Sequence, residues 1–117
     1  MTRLYLPATL PRLAELDRGG VLDTVAALVA PDESEESEYD ALVEAAEASA
    51  DLVSGLAAGQ RRRLVVVAEV AGEPGTISIA DGVAVHADAA DLPGHAHPAD
   101  DLGWYATQEI PELLRGN

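Results

Sequence analysis

The chain has 117 residues, 7 basic and 21 acidic side chains, a net charge of −14 and no cysteine. That length supports one compact domain spanning residues 1–117. The missing thiols exclude disulfides, thiol catalysis and zinc sites built on thiolate, and the charge argues against nucleic acid and anionic membranes, which need a basic face.

Leu4-Tyr5-Leu6, closed by Pro7, reads as a first strand. Thr9 is placed to cap a helix that carries Pro11 in its first turn, and Gly19-Gly20 ends it. The stretch Val21 to Ala30 fits either a buried strand or a helical turn. Its β-branched ends and the following Pro31 favour a strand at Val25 to Val29. Asp32 to Glu38 is an acidic loop, and Ser37 with Asp40 resembles a capping box. Tyr39, Leu42, Val43, Ala46, Ala50, Val53 and Leu56 then recur at helical spacing, which predicts an amphipathic helix from Ser37 to Ala58, stopped at Gly59.

Leu64 to Ala68 is a continuous apolar run without alternation, the pattern of a central strand covered on both faces. Thr76 to Ala80 alternates, Asp81-Gly82 is the favoured type I′ turn pair, and Val83 to Ala87 returns. A two-residue loop there would set Ile79 against Ala84 and Ile77 against His86. Asp91 to Asp101 is a Pro-, Gly- and Asp-rich loop. Trp104 to Ala106 is preferred as a short aromatic strand over a helix, followed by a short turn or helix with Pro111 in its first turn. The expected fold is therefore a single-domain α+β (α/β) two-layer sandwich. It has a mixed four- to five-stranded sheet with two main helices packed on it.

The opening Arg3-Leu4-Tyr5-Leu6-Pro7-Ala8-Thr9-Leu10 and the closing Trp104-Tyr105-Ala106-Thr107-Gln108-Glu109-Ile110-Pro111 resemble the two ends of an uncharacterised actinobacterial family of small proteins. Its members open with an R-x-Y-L-P-A-T run and are described only as a domain of unknown function, so the resemblance implies no activity. It also implies a GC-rich genome. All seven basic residues here are arginine, and lysine and phenylalanine, both with AT-rich codons, are absent, in agreement with that background.

Two constellations could carry chemistry. His95-Ala96-His97, with Asp91, Asp100 and Asp101 close by, has the donor types for a transition ion, although a surface loop is the ordinary home of such residues. Arg3, Tyr5, Trp104, Tyr105, Gln108 and Glu109 would line one groove if the last segment packed beside the first strand. In a core without phenylalanine the aromatics are also the natural large packing pieces, and packing is their first reading. His86 reads as a hydrogen-bonded, partly buried histidine beside Ile77. Arg61-Arg62-Arg63 reads as neutralising acids of the preceding helix and favouring its negative C-terminal end.

No phosphate-cradling loop, nucleophile elbow, zinc-helix or EF-hand spacing is present, and without lysine there is no Schiff-base chemistry. No run approaches the roughly 20 apolar residues that span a bilayer, and the expectation from Met1 to Pro7 is of no signal peptide. The leading expectation is a small acidic cytoplasmic protein without catalytic activity or cofactor, acting through protein–protein contact. The alternative is a small-molecule site near Tyr5, Trp104, Gln108 and Glu109, or a metal site at His95 and His97. The sequence sets no oligomeric state.

Overall fold

The computed structural model describes residues 2–57, 59–71, 75–89 and 102–115. Strand β1 spans Thr2–Ala8 and pairs antiparallel with β3, Leu64–Val70. β5, Gly82–Ala87, lies on the other side of β3, and β6, Gly103–Ala106, pairs with β5. The order β1-β3-β5-β6 puts the most apolar segment in the middle and makes β1 an edge. An edge tolerates Pro7, which has no N–H to donate.

Helix α1, Leu10–Asp17, begins where the Thr9 hydroxyl accepts the Arg12 N–H at 3.3 Å, and Pro11 sits in the first turn as expected. Gly19, at φ +93°, turns the chain away after it. Helix α2, Glu35–Val53, starts two residues before the expected Ser37 and ends before the expected Ala58. Its cap is Ser34, whose hydroxyl accepts the Ser37 N–H at 3.2 Å, while the Asp32 carboxylate accepts the Ser34 N–H at 2.8 Å. Glu35, Glu36 and Glu38 then occupy the first turn, where negative charge suits the helix dipole. A short helix α3, Ile110–Leu114, follows a 3₁₀ turn at Thr107–Glu109 and carries Pro111 near its start.

The pleat sorts the core into two clusters. Leu4, Leu6, Ala8, Leu64, Val66 and Val85 face Leu13 and Leu16 of α1 and Ile110 and Leu113 of α3. Tyr5, Val65, Val67 and Ala84 face Ala41, Ala45 and Ala46 of α2. The fold is thus an α+β sandwich with helices on a four-stranded sheet. The sheet is antiparallel throughout, and its two helical layers lie on opposite faces.

Two local expectations fail for visible reasons. Val25 to Val29 does not form a strand. The Asp23 carboxylate accepts the Val25 N–H at 3.2 Å and the Ala27 N–H reaches the Thr24 carbonyl at 3.0 Å, so the chain turns there and leaves Val25 exposed. Only Leu28 joins the sheet, exchanging two 2.9 Å backbone bonds with Tyr5 and covering part of the β1 edge. The Asp81-Gly82 hairpin is also absent. β4, Thr76–Ile77, pairs with β2, Leu22–Asp23, in a separate two-stranded sheet. The Asp81 carboxylate accepts the Ser78 N–H at 2.8 Å and holds a 3₁₀ turn, and Gly82 has φ −70°, not the positive value a type I′ turn needs. Ile77 and His86 therefore lie on different faces of the molecule.

Only Arg61 of the arginine triplet serves the end of the preceding helix; Arg62 and Arg63 turn to Asp88. Arg61 does reach back past the end of α2, its Nε donating to the Leu56 carbonyl at 2.7 Å. Arg63 is buried and grips Asp88 through Nε at 2.9 Å and Nη2 at 2.8 Å, and its backbone N–H donates to the same carboxylate. Arg62 is buried too, donating from Nε to the Asp88 carbonyl at 2.7 Å. These bonds prolong the β3–β5 pairing beyond the strand ends.

Candidate functional site

Arg3 and Tyr5 on β1, Val67 on β3, Ala84 and His86 on β5 and Trp104 on β6 share the face of the sheet that α2 covers. α2 packs mainly against β1 and β3. Its flank and the β5–β6 half of that face, which no described helix covers, enclose a groove of about 250 Å³. Tyr39 and Leu42 form the helix wall, and Trp104 and His86 form the far side. The register between β3 and β5 shifts at Val67 and Ala68, which leaves Val83 as an extra residue on β5. That bulge brings Val83 to the rim.

Trp104 is 62% exposed, and Tyr39 and Val83 are 46% and 41% exposed. Three of the chain's four aromatics, Tyr5, Tyr39 and Trp104, line this one groove. Tyr5 is buried at its floor. Burial pushes its phenol above the ordinary range, helped by the nearby Glu38 charge and opposed by Arg3. His86 is half-buried, and desolvation holds its imidazole below the ordinary 6.5, so it is neutral at pH 7. Among the described residues no side chain hydrogen-bonds to it.

A second groove, of about 530 Å³, adjoins the first and shares Arg3, Tyr5 and Glu38 with it. Its remaining charged walls are Asp32, Glu33 and Glu69. Arg3 stands between the two. Its Nη2 donates to Glu69 Oε2 at 2.7 Å across the β1–β3 pair, and its Nη1 lies 3.5 Å from Glu38 Oε1. The Glu69 hydrogen bond raises the Arg3 guanidinium above its usual range. Both pairs are exposed, so each contributes about 1 kcal/mol or less.

Of the residues singled out from sequence, Arg3, Tyr5 and Trp104 come together here, although β1 and β6 are opposite edges of the sheet. Tyr105 points to the other face and packs against the α1–α3 core. Gln108 is exposed on the 3₁₀ turn. The Glu109 carboxylate accepts the Ala106 N–H at 2.9 Å, fastening the chain between β6 and α3. His95 and His97 lie outside the described residues. Among the described residues no group of three or more His, Asp and Glu side chains is arranged to hold a metal ion.

Tyr39, Leu42, Val83 and Glu38 were not expected at a site. Tyr39 and Leu42 fall in an apolar helical stripe and read as core. Only the small size of their neighbours Ala41, Ala45 and Ala46 hints that the buried face lies elsewhere.

The model of a family of unknown function (DUF6912) matches residues 2–97. The chain belongs to this family. The match agrees with the resemblance at the level of a domain of unknown function, and DUF6912 membership carries no activity. The Arg3 to Leu10 run lies inside the matched residues and the Trp104 to Pro111 run lies beyond them. Neither the curated proteins nor the solved structures yielded a match to the chain. No helix among the described residues is long and apolar enough to cross a membrane.

Proposed function

We propose that this chain is a non-catalytic, cytoplasmic protein-contact domain whose contact face is the groove beneath Trp104. The observation that carries the reading is Trp104 itself. It is the chain's one tryptophan, and it stands 62% exposed beside the exposed Tyr39 and Val83. A large apolar ring left in water beside other apolar surface marks an interaction site more often than chance exposure, and tryptophan dominates the energetics of contact surfaces.

Openness at Trp104 favours a protein over a small molecule, although the adjoining groove of about 530 Å³ falls within the size range of ligand pockets. Ligand pockets are commonly about 300–1,000 Å³ and enclose most of the ligand. The Trp104 groove is smaller, about 250 Å³, and lies open along the flank of α2. The chemistry points the same way. A general base needs a partner to orient it, and among the described residues no side chain hydrogen-bonds to His86, although Glu38 and Arg3 line the same groove.

Paired affinity capture tests the reading. Wild type and Trp104→Ala serve as baits, and each captured protein is re-bound in purified form. The expected result is a partner retained by wild type and lost by Trp104→Ala. Identical capture by the two baits would overturn the proposed face.

A further inference from the structure

The groove's chemistry specifies what enters it. We propose that its occupant is an arginine- or lysine-bearing segment of a partner protein, with the cationic side chain held among Tyr5, Tyr39 and Trp104 against the Glu38 carboxylate. This rests on the reading of the Trp104 groove as a contact face and gives that face a ligand class.

Aromatic rings attract cations through their negative faces, and the attraction grows as water is removed. Three of the four aromatics in the chain converge on this groove, with Tyr5 already buried at its floor. Glu38 supplies formal negative charge on the helix wall. The adjoining groove continues the same polarity with Asp32, Glu33 and Glu69, so the residues flanking an inserted side chain also meet carboxylates. Among the described residues, Arg3 is the one arginine lining either groove. It is committed to Glu69 at 2.7 Å and stands farther from Glu38, at 3.5 Å. An incoming guanidinium can therefore take Glu38 while Arg3 keeps Glu69. His86, neutral at pH 7, adds no repulsion. The net charge of −14 steers a basic segment toward the molecule and an acidic one away.

The groove already holds a partial rehearsal of this contact, since Arg3 is an arginine placed beside Glu38 and Tyr5, on the opposite side from Trp104. Arg3 is accordingly a competitor. Removing it frees Glu38 and Glu69 for an external cation.

The experiment titrates the purified full chain with acetylated, amidated hexa-arginine, using hexaglutamate as the opposite-charge control. Trp104 fluorescence reports occupancy of the groove, and calorimetry reports affinity. Glu38→Gln and Tyr39→Ala alter the groove at exposed or half-exposed positions. Glu112→Gln removes the same charge from α3 on the opposite side of the sheet. The expected result is a saturable change in Trp104 emission with hexa-arginine and none with hexaglutamate. Glu38→Gln and Tyr39→Ala should each weaken binding roughly tenfold, Glu112→Gln should leave it nearly unchanged, and Arg3→Gln should strengthen it. Circular dichroism of each variant confirms that the fold is kept.

An unchanged Trp104 emission, or equal losses from Glu38→Gln and Glu112→Gln, would overturn the proposal, the latter by showing diffuse attraction to an acidic surface. If hexa-arginine fails while paired capture still depends on Trp104, the cationic ligand class falls and the contact face stands. If capture is independent of Trp104, the face itself falls.

Discussion

Ser49 shows how much one small side chain can organise. It is fully buried on α2, where its hydroxyl donates to the Ala8 carbonyl at 2.8 Å and accepts the Leu64 N–H at 2.8 Å. It thereby joins the end of β1, the start of β3 and the helix above them. Ser49→Ala should cost about 1–3 kcal/mol, because it strands a buried donor and acceptor. Urea denaturation reads this directly, and a neutral substitution would contradict the assigned bonds. His86 sets a pH dependence. Its folded-state affinity for a proton is depressed by burial, whereas the unfolded chain takes one up near 6.5. The unfolded state therefore binds more protons below that value, and stability falls as pH drops through it. His86→Gln should lose less stability than wild type between pH 7 and about pH 5. Equal losses in parallel denaturation curves would show that His86 is not the group responsible.

At the level of elements, the interface between α2 and the sheet is built from alanine. Ala41, Ala45 and Ala46 let the helix backbone approach β1 and β3 closely, and the larger Tyr39 and Leu42 are displaced to the groove wall. Ala45→Leu should destabilise by about 1–3 kcal/mol, since the added carbons have no space without moving the helix. A thermal melt unchanged from wild type would show that this interface is looser than described. The same alanines explain what could be read from sequence. β3 was legible because an unbroken apolar run has one economical place, the sheet centre. Helix α2 was legible from its period. Its buried face was legible in part: Ala46 and Val53 of the expected stripe are buried, but hydrophobic size also pointed to Tyr39, which is exposed, while packing selected Ala41 and Ala45. Asp81-Gly82 misled for a similar reason. Turn chemistry is local, and the pairing of Ile77 with Leu22 is decided by residues far away in the chain. Arg62 and Arg63 read as partners of the preceding helix because nothing near them in sequence announces Asp88. Of the site, Arg3, Tyr5 and Trp104 were nominated on a supposed β1–β6 contact. They do meet, but across the breadth of the sheet.

For the whole molecule, two helical layers on opposite faces divide its tasks. The α1–α3 side carries most of the large aliphatic core, with Leu4, Leu6, Leu13, Leu16, Leu64, Ile110 and Leu113 nearly all removed from water. On the other face α2 packs mainly against β1 and β3, and no described helix covers β5 and β6 beside the aromatic groove. The surrounding acidic surface favours encounters with basic partners and weakens them as salt rises. This division holds only if the indole of Trp104 is there for contact and not for packing. The most direct test is the stability of Trp104→Ala, measured by urea denaturation followed by circular dichroism. An exposed contact residue predicts a change within about 0.5 kcal/mol of wild type. A loss of about 3–5 kcal/mol, as for a tryptophan cut from a core, would contradict the account.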